Sequence, residues 1–377
     1  MMTHKERMLA VLRGERPDRI PWVPRIELWY RAHLRAGTLP AKYRGWDIRS
    51  IYRDQGVGYH CRGGAVCRTS VKGLETVTRQ KGDEVRTEFI TPVGTVSTLR
   101  RHSPELRAQG LGLLEVEHMI KGPEDYDVVE WMYQNTVVEP TYEEYLAFEH
   151  ECGDEGVPQV GNAYTPPDYL LRQLIGWGNC YYHLSDYPEK FERLLRVMID
   201  AEWEVNRVHA ESPALIIAHG AHFHSQMTPP PIYRTYILPY CKEMTTFYHR
   251  HGKLVQFHGD ADISGLEELI LESGYDIAEC MVTAPMVPTT LERLREVWGD
   301  RITIWGGIPS TLLCDPYTDE DFDSYMRDLF RVIAPGDAFI LGVADNVLAA
   351  TRWERFERVL PMIEAYGQYP VDPARVP

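Results

Sequence analysis

From about residue 156 the chain alternates short, unbroken apolar runs with longer stretches of helical spacing. The runs are VPQVGNAY (157–164), ALIIAHG (214–220), KLVQFHGD (253–260), YDIAECM (275–281), RITIWGGI (301–308) and AFILGVADN (338–346). A strand that is apolar at nearly every position is buried on both faces, as in a parallel sheet sheathed by helices. The intervening stretches carry helix-start signals. Pro188 opens a helix through Phe191, Leu194, Leu195 and Met198, and the pairs Ser264/Glu267 and Thr289/Glu292 predict two more starts. Thr3 with Glu6 does the same ahead of Met8, Leu9, Val11 and Leu12.

The first half reads differently. EVRTEFITPVGTVSTLRR alternates polar and apolar positions around Pro92-Val93-Gly94, the pattern of a hairpin. Residues 65–118 therefore predict an antiparallel β-meander, inserted into or leaning on the main fold. RIPWVPRI (19–26) reads as one further strand. Six strands after residue 156, with one or two from the first half, predict a (β/α)8 TIM barrel spanning 1–377 as a single domain. A doubly wound open sheet is the competing architecture. No GxGxxG or GxxxxGK[ST] motif supports nucleotide binding.

In such barrels the chemistry sits at the carboxyl ends of the strands. Those ends carry Asn162, His219, His258 with Asp260, Glu279 with Cys280, Trp305 with two glycines, and Asp345 with Asn346. Residues two apart on a strand face the same side, so His258 and Asp260 can share a target that Glu279 and Asp345 reach from other strands. One imidazole with carboxylates suits zinc or another divalent ion. A shift of one residue exchanges Glu279 for Cys280. Singly, each residue has a structural reading: His258 as a core histidine, Asp260 and Asp345 as turn or helix caps. The loop HGAHFH (219–224) adds His219, His222 and His224, as metal ligands or substrate contacts.

A formal charge of −15 argues against nucleic acid and against a polybasic membrane attachment. No apolar run reaches the length of a membrane span, and the N-terminus does not read as a signal peptide. Seven cysteines with no CxxC spacing read as reduced thiols, so the expected compartment is the cytoplasm.

The stretch TPPPIYRTYILPYCKEMTTFYHRHGKLVQFHGDADISGLEELILESGYDIAEC (228–280) resembles the uroporphyrinogen decarboxylase superfamily, as do GDRITIWGGIP (299–309) and KERMLAVLRGERPDRIPW (5–22). The resemblance runs from Lys5 to about Arg358 and implies a (β/α)8 barrel. The decarboxylases proper use no metal and carry MRQAGR and FSDI segments. Here Arg25 stands near the first arginine and the rest is missing. The other branch holds zinc methyltransferases that work with corrinoid proteins, with a His-x-Cys, a Glu and a final Cys as ligands. Carried over by position, these are His258, Asp260, Glu279 and Asp345, so both thiolates are replaced by carboxylates.

A harder donor set favours an oxygen-bearing substrate. The resemblance thus implies a methyltransferase moving a methyl group from a small O-methyl compound, such as an aryl methyl ether, to a corrinoid (cobalamin) on a partner protein. Trp29, Tyr30, Tyr164 and Trp305 would line the pocket, and His219, His222 and His224 would position substrate or deliver a proton. Family habit implies a monomer or homodimer. The alternatives are a metal-free decarboxylase or lyase with Arg25 binding the acid, and a catalytically silent ligand-binding barrel.

Overall fold

The computed structural model describes residues 1–108, 111–161 and 164–377, so the expectation for Asn162 lies outside the described residues. The first half carries β1 (Cys67–Val71), β2 (Glu75–Lys81), β3 (Glu84–Thr91), β4 (Gly94–Arg101), β5 (Leu114–Glu117) and β6 (Thr136–Pro140). The second carries β7 (Gln159–Val160), β8 (Ile216–Ala221), β9 (Leu254–His258), β10 (Ile277–Met281), β11 (Thr303–Ile308) and β12 (Phe339–Val343). β7 to β12 form one parallel sheet in sequential order. Every residue of β10, β11 and β12 is buried, as their unbroken apolar runs require.

These six strands are the observed part of the expected barrel. Each edge of this sheet carries one isolated parallel bridge: Trp22 with Leu341 of β12, and Arg62 with Gln159 of β7. The amide of Gly58 donates to the Trp22 carbonyl at 2.8 Å, linking the two edge segments. RIPWVPRI forms no longer strand because Pro21 and Pro24 flank Trp22 and have no N–H for a ladder.

The antiparallel region also differs in one pairing. β2 to β5 form a meander in sequence order, with the turn at Pro92-Val93 as predicted. β1 leaves it and pairs with β6, which lies beyond the predicted 65–118 boundary. The helix Asp125–Gln134 reverses the chain, and the Lys72 amide bonds the Asn135 carbonyl to continue that ribbon. Val96 of the meander packs into a second core with Phe191, Leu194, Leu195 and Met198 of the helix Pro188–Glu211. The predicted apolar face of that helix thus holds the insertion against the main body.

Of the helix starts, the Thr3/Glu6 capping box is present. Thr290, not Thr289, caps the helix Leu291–Trp298. The helix Glu267–Glu272 has no side-chain cap; Ser264 bonds Asp262 instead.

One buried carboxyl has neither oxygen hydrogen-bonded: Asp168, in the short helix Pro166–Tyr169. Burial outweighs the nearby charge of Arg172 and raises its pKa from 3.8 to about 7. The folded protein then holds a proton that the unfolded chain releases between these values. Stability therefore falls as pH rises through that window and is lowest above it. Asp168→Asn should flatten this dependence, raising stability at about pH 8 by up to about 4 kcal/mol relative to wild type. Urea denaturation at about pH 5 and about pH 8 measures it, and identical pH slopes in both proteins would contradict it.

Candidate functional site

The site is assembled where β8, β9, β10 and β12 end. His258 closes β9, and parallel pairing sets it level with Glu279 of β10. β10 is bulged between Glu279 and Met281, where Cys280 adopts φ 55°. A regular strand would turn Cys280 away from Glu279. The left-handed residue brings both to one side, and the Cys280 thiol donates to Glu279 Oε1 at 2.8 Å. Gly306 of β11 is needed at this bulge, since a Cβ there would lie 2.7 Å from the Met281 carbonyl. His222 (φ 56°) and Asp345 (φ 52°) are left-handed too. Three of the four such non-glycine residues among the described ones therefore surround His258. Backbone strain of this kind costs on the order of 1–3 kcal/mol per residue and clusters at functional sites.

Glu279 is fully buried. Arg62 Nη2 reaches its Oε2 at 2.9 Å, His258 Nδ1 at 2.5 Å, and His60 Nε2 lies 2.8 Å from Oε1. Burial alone would favour its neutral form, yet the Arg62 and His258 charges hold its carboxyl well below the usual range. With Nδ1 on Glu279, the other nitrogen of His258 faces outward. Nε2 stands 3.5 Å from Asp260 Oδ2 and 3.4 Å from Asp345 Oδ1. Burial opposes the imidazolium, but Glu279 first, then Asp260 and Asp345, raise the His258 pKa well above its ordinary value.

His222 Nδ1 lies against Asp260 Oδ1, and the His222 ring sits edge-on to His258 with centroids 5.3 Å apart. Arg25 Nη1 holds Asp345 Oδ1 at 2.9 Å.

Two sets of donor atoms lie within 4.8 Å of one another: His222, His258 and Asp260; and His60, Glu279 and Cys280. The first fits a divalent ion. It offers two imidazoles and a carboxylate on the outward side of His258, with Asp345 adjacent. The second does not fit as well. Its carboxylate is already neutralised by Arg62 and His258, and its thiol is engaged as a donor to Glu279.

His258, Asp260, Glu279 and Asp345 are thus brought together, with Glu279 on the Nδ1 side and the two aspartates on the Nε2 side. Both Glu279 and Cys280 face the centre. Of the three loop histidines, only His222 joins the cluster. His219 is buried, its Nε2 2.8 Å from the Tyr240 hydroxyl and 3.9 Å from Glu202. His224 Nδ1 accepts from the Gln226 amide.

The expected aromatic pocket does not form. Trp29 is buried and stacked on Trp353 with centroids 3.9 Å apart, and Trp305 is buried and donates to the Val23 carbonyl. Tyr30 donates its hydroxyl to the Trp46 carbonyl. Two of the four border the cluster: Tyr164, its ring 5.5 Å from His222, and Trp305, its ring 4.7 Å from His60. His60 and Arg62 went unrecognised in the sequence. Their signal is the same two-residue spacing as in His258/Asp260, in a segment with no apolar run to mark it as a strand.

The chain belongs to the uroporphyrinogen decarboxylase (URO-D) family, whose model matches residues 117–366. That match bears out the resemblance carried by the sequence motifs. In fold the chain is similar to a methyltransferase from Methanosarcina mazei, with a TM-score of 0.57 at 12% identity over 97% of this chain and 99% of that one. No curated protein matches it. No helix among the described residues is long and apolar enough to cross a membrane.

The raised His258 pKa means that its charge stabilises the metal-free fold below about 6.5, a benefit lost as pH rises through the raised value. Glu279→Gln should lower the His258 pKa, read from its imidazole NMR signals in metal-free protein. An unchanged titration would contradict the Glu279 assignment.

Proposed function

We propose that this protein is a metal-dependent methyltransferase that passes the methyl group of a small O-methyl substrate, an aryl methyl ether, to a corrinoid on a separate protein. The observation that carries this reading is the polarity of His258: a buried carboxylate fixes Nδ1 while Nε2 faces two further carboxylates. A carboxylate behind a histidine is the usual way to orient a metal-binding imidazole and raise its basicity. His222, His258 and Asp260 would hold the ion, zinc by preference, with Asp345 as the fourth candidate.

Bound there, the ion supplies Lewis acidity toward the ether oxygen, and the partner's reduced corrinoid supplies the nucleophile. The chain's own groups do the rest. Glu279 keeps His258 in the tautomer whose Nε2 can bind, and Arg62 keeps Glu279 ionised. Arg25 restrains Asp345 at the rim. The O–CH3 bond breaks with its electron pair on oxygen, and that oxygen takes a proton from solvent.

Membership of the URO-D family and the methyltransferase-like fold support this reading. The decarboxylase alternative is less well supported, because Arg25 is committed to Asp345 and the site presents carboxylates rather than a basic cleft. The edge segments at Trp22 and Arg62 complete, in this reading, an eight-stranded barrel. The enzyme would work in the cytoplasm, as a monomer or homodimer.

Elemental analysis tests the proposal. Purified protein should carry about one zinc per chain, and His258→Ala should lose it. Methyl transfer from 2-methoxyphenol to a reduced corrinoid protein should fall by at least about 100-fold in that variant. Metal content and turnover both unchanged in His258→Ala would contradict it.

A further inference from the structure

A cavity of about 500 Å³ lies between the meander, the β1–β6 ribbon and the helices Asp125–Gln134 and Pro188–Glu211. It touches the metal cluster through one side chain. Tyr164 lines it, and the same ring stands 5.5 Å from His222. A wider open groove of about 690 Å³ beside Trp203 and Phe247 shares no residue with the cluster.

Benzene fills an apolar cavity of about 150 Å³, so this space accommodates one substituted ring. Its walls suit such a ring. Tyr133, Tyr164 and Tyr169 offer aromatic faces, and Met132 and Met198 offer adaptable apolar surface. The charges are equally informative. The lining has one arginine, Arg100, and it is bound to Glu115 of the same lining at 3.1 Å. Glu202 is the other charged residue, which leaves the wall with a net formal charge of −1 (one arginine against two glutamates). The lining itself offers no unpaired cation to a benzoate carboxylate, which would lose its hydration there; Arg172, whose guanidinium lies 5.6 Å from the Tyr164 ring centroid, is not among the lining residues.

We infer that this cavity binds the ring of the methyl donor, with the methoxy group directed past Tyr164 toward His222, and that it accepts an uncharged methoxyarene and rejects a methoxybenzoate. The inference rests on the methyl-donor reading above and adds the location and charge of the substrate. It places the insertion in the substrate site: β3, β4 and β5 contribute Phe89, Arg100 and Glu115 to the walls. The four aromatic residues first expected at the barrel mouth are replaced by a different set, of which Tyr164 is the common member.

Binding to the zinc-stripped full chain separates this inference from the metal chemistry. Calorimetric titrations with 2-methoxyphenol, 3-methoxybenzoate and choline would be compared. The first should bind at least about tenfold more tightly than the other two. Ala201→Trp, which fills the cavity from the helix Pro188–Glu211, should weaken it at least about tenfold. Glu202→Gln, which adds no bulk, should bring 3-methoxybenzoate to within about threefold of 2-methoxyphenol. Equal affinities for the three probes, preference for choline, no binding of 2-methoxyphenol, or indifference to both substitutions would each overturn the inference. If binding follows this pattern and no methyl group reaches a corrinoid, the cavity stands and the methyltransferase reading falls. Methyl transfer with binding indifferent to both substitutions gives the converse.

Discussion

The carboxylate of Glu279 has no access to solvent, and the site depends on how its charge is met. An ion this deep costs several kcal/mol unless close opposite charge and hydrogen bonds compensate it. Arg62 and His258 supply the charge, and the Cys280 thiol adds a hydrogen bond. These partners come from opposite ends of the chain. Arg62 belongs to the edge segment bridged to β7, while His258 closes β9. Docking that edge onto the sheet and neutralising Glu279 are therefore one event. The same contact selects the outward nitrogen of His258, on which the metal reading rests.

Local backbone and site chemistry are similarly joined. The left-handed conformations of His222, Cys280 and Asp345 set the direction of three side chains that regular strands would send elsewhere. The antiparallel insertion, which looks peripheral in a diagram of the sheet, shares the helix Pro188–Glu211 with the main body and forms one wall of the cavity beside Tyr164. Metal centre and cavity meet at the Tyr164–His222 contact.

Much of the sheet could be read directly from the amino-acid pattern, because burial on both faces leaves runs such as YDIAECM and AFILGVADN with few polar interruptions. β9 to β12 fall inside the predicted segments, and β8 runs one residue past its own. VPQVGNAY shrinks to Gln159–Val160, and RIPWVPRI to two isolated bridges, at Arg19 and Trp22, where prolines interrupt the donors. The β1–β6 pairing was invisible, since alternation identifies a strand without naming its partner. At the site, the spacing of His258 and Asp260 was sufficient to place them together. The bulge at Cys280 was not foreseeable from strand alternation, and His60 and Arg62 had no apolar run to announce them. Trp29 and Trp305 illustrate a further limit: aromatic identity says a side chain is large and apolar, and not whether it faces a pocket or the core.

In the proposed site the ion is held by nitrogen and oxygen on the Nε2 side of His258, and Cys280 stays outside its first shell. X-ray absorption at the zinc edge of the zinc-loaded full chain tests this most directly. The predicted first shell is nitrogen and oxygen at about 2.0–2.2 Å, including imidazole scattering and no sulfur. A zinc–sulfur distance of about 2.3 Å would contradict it and move the ion to His60, Glu279 and Cys280.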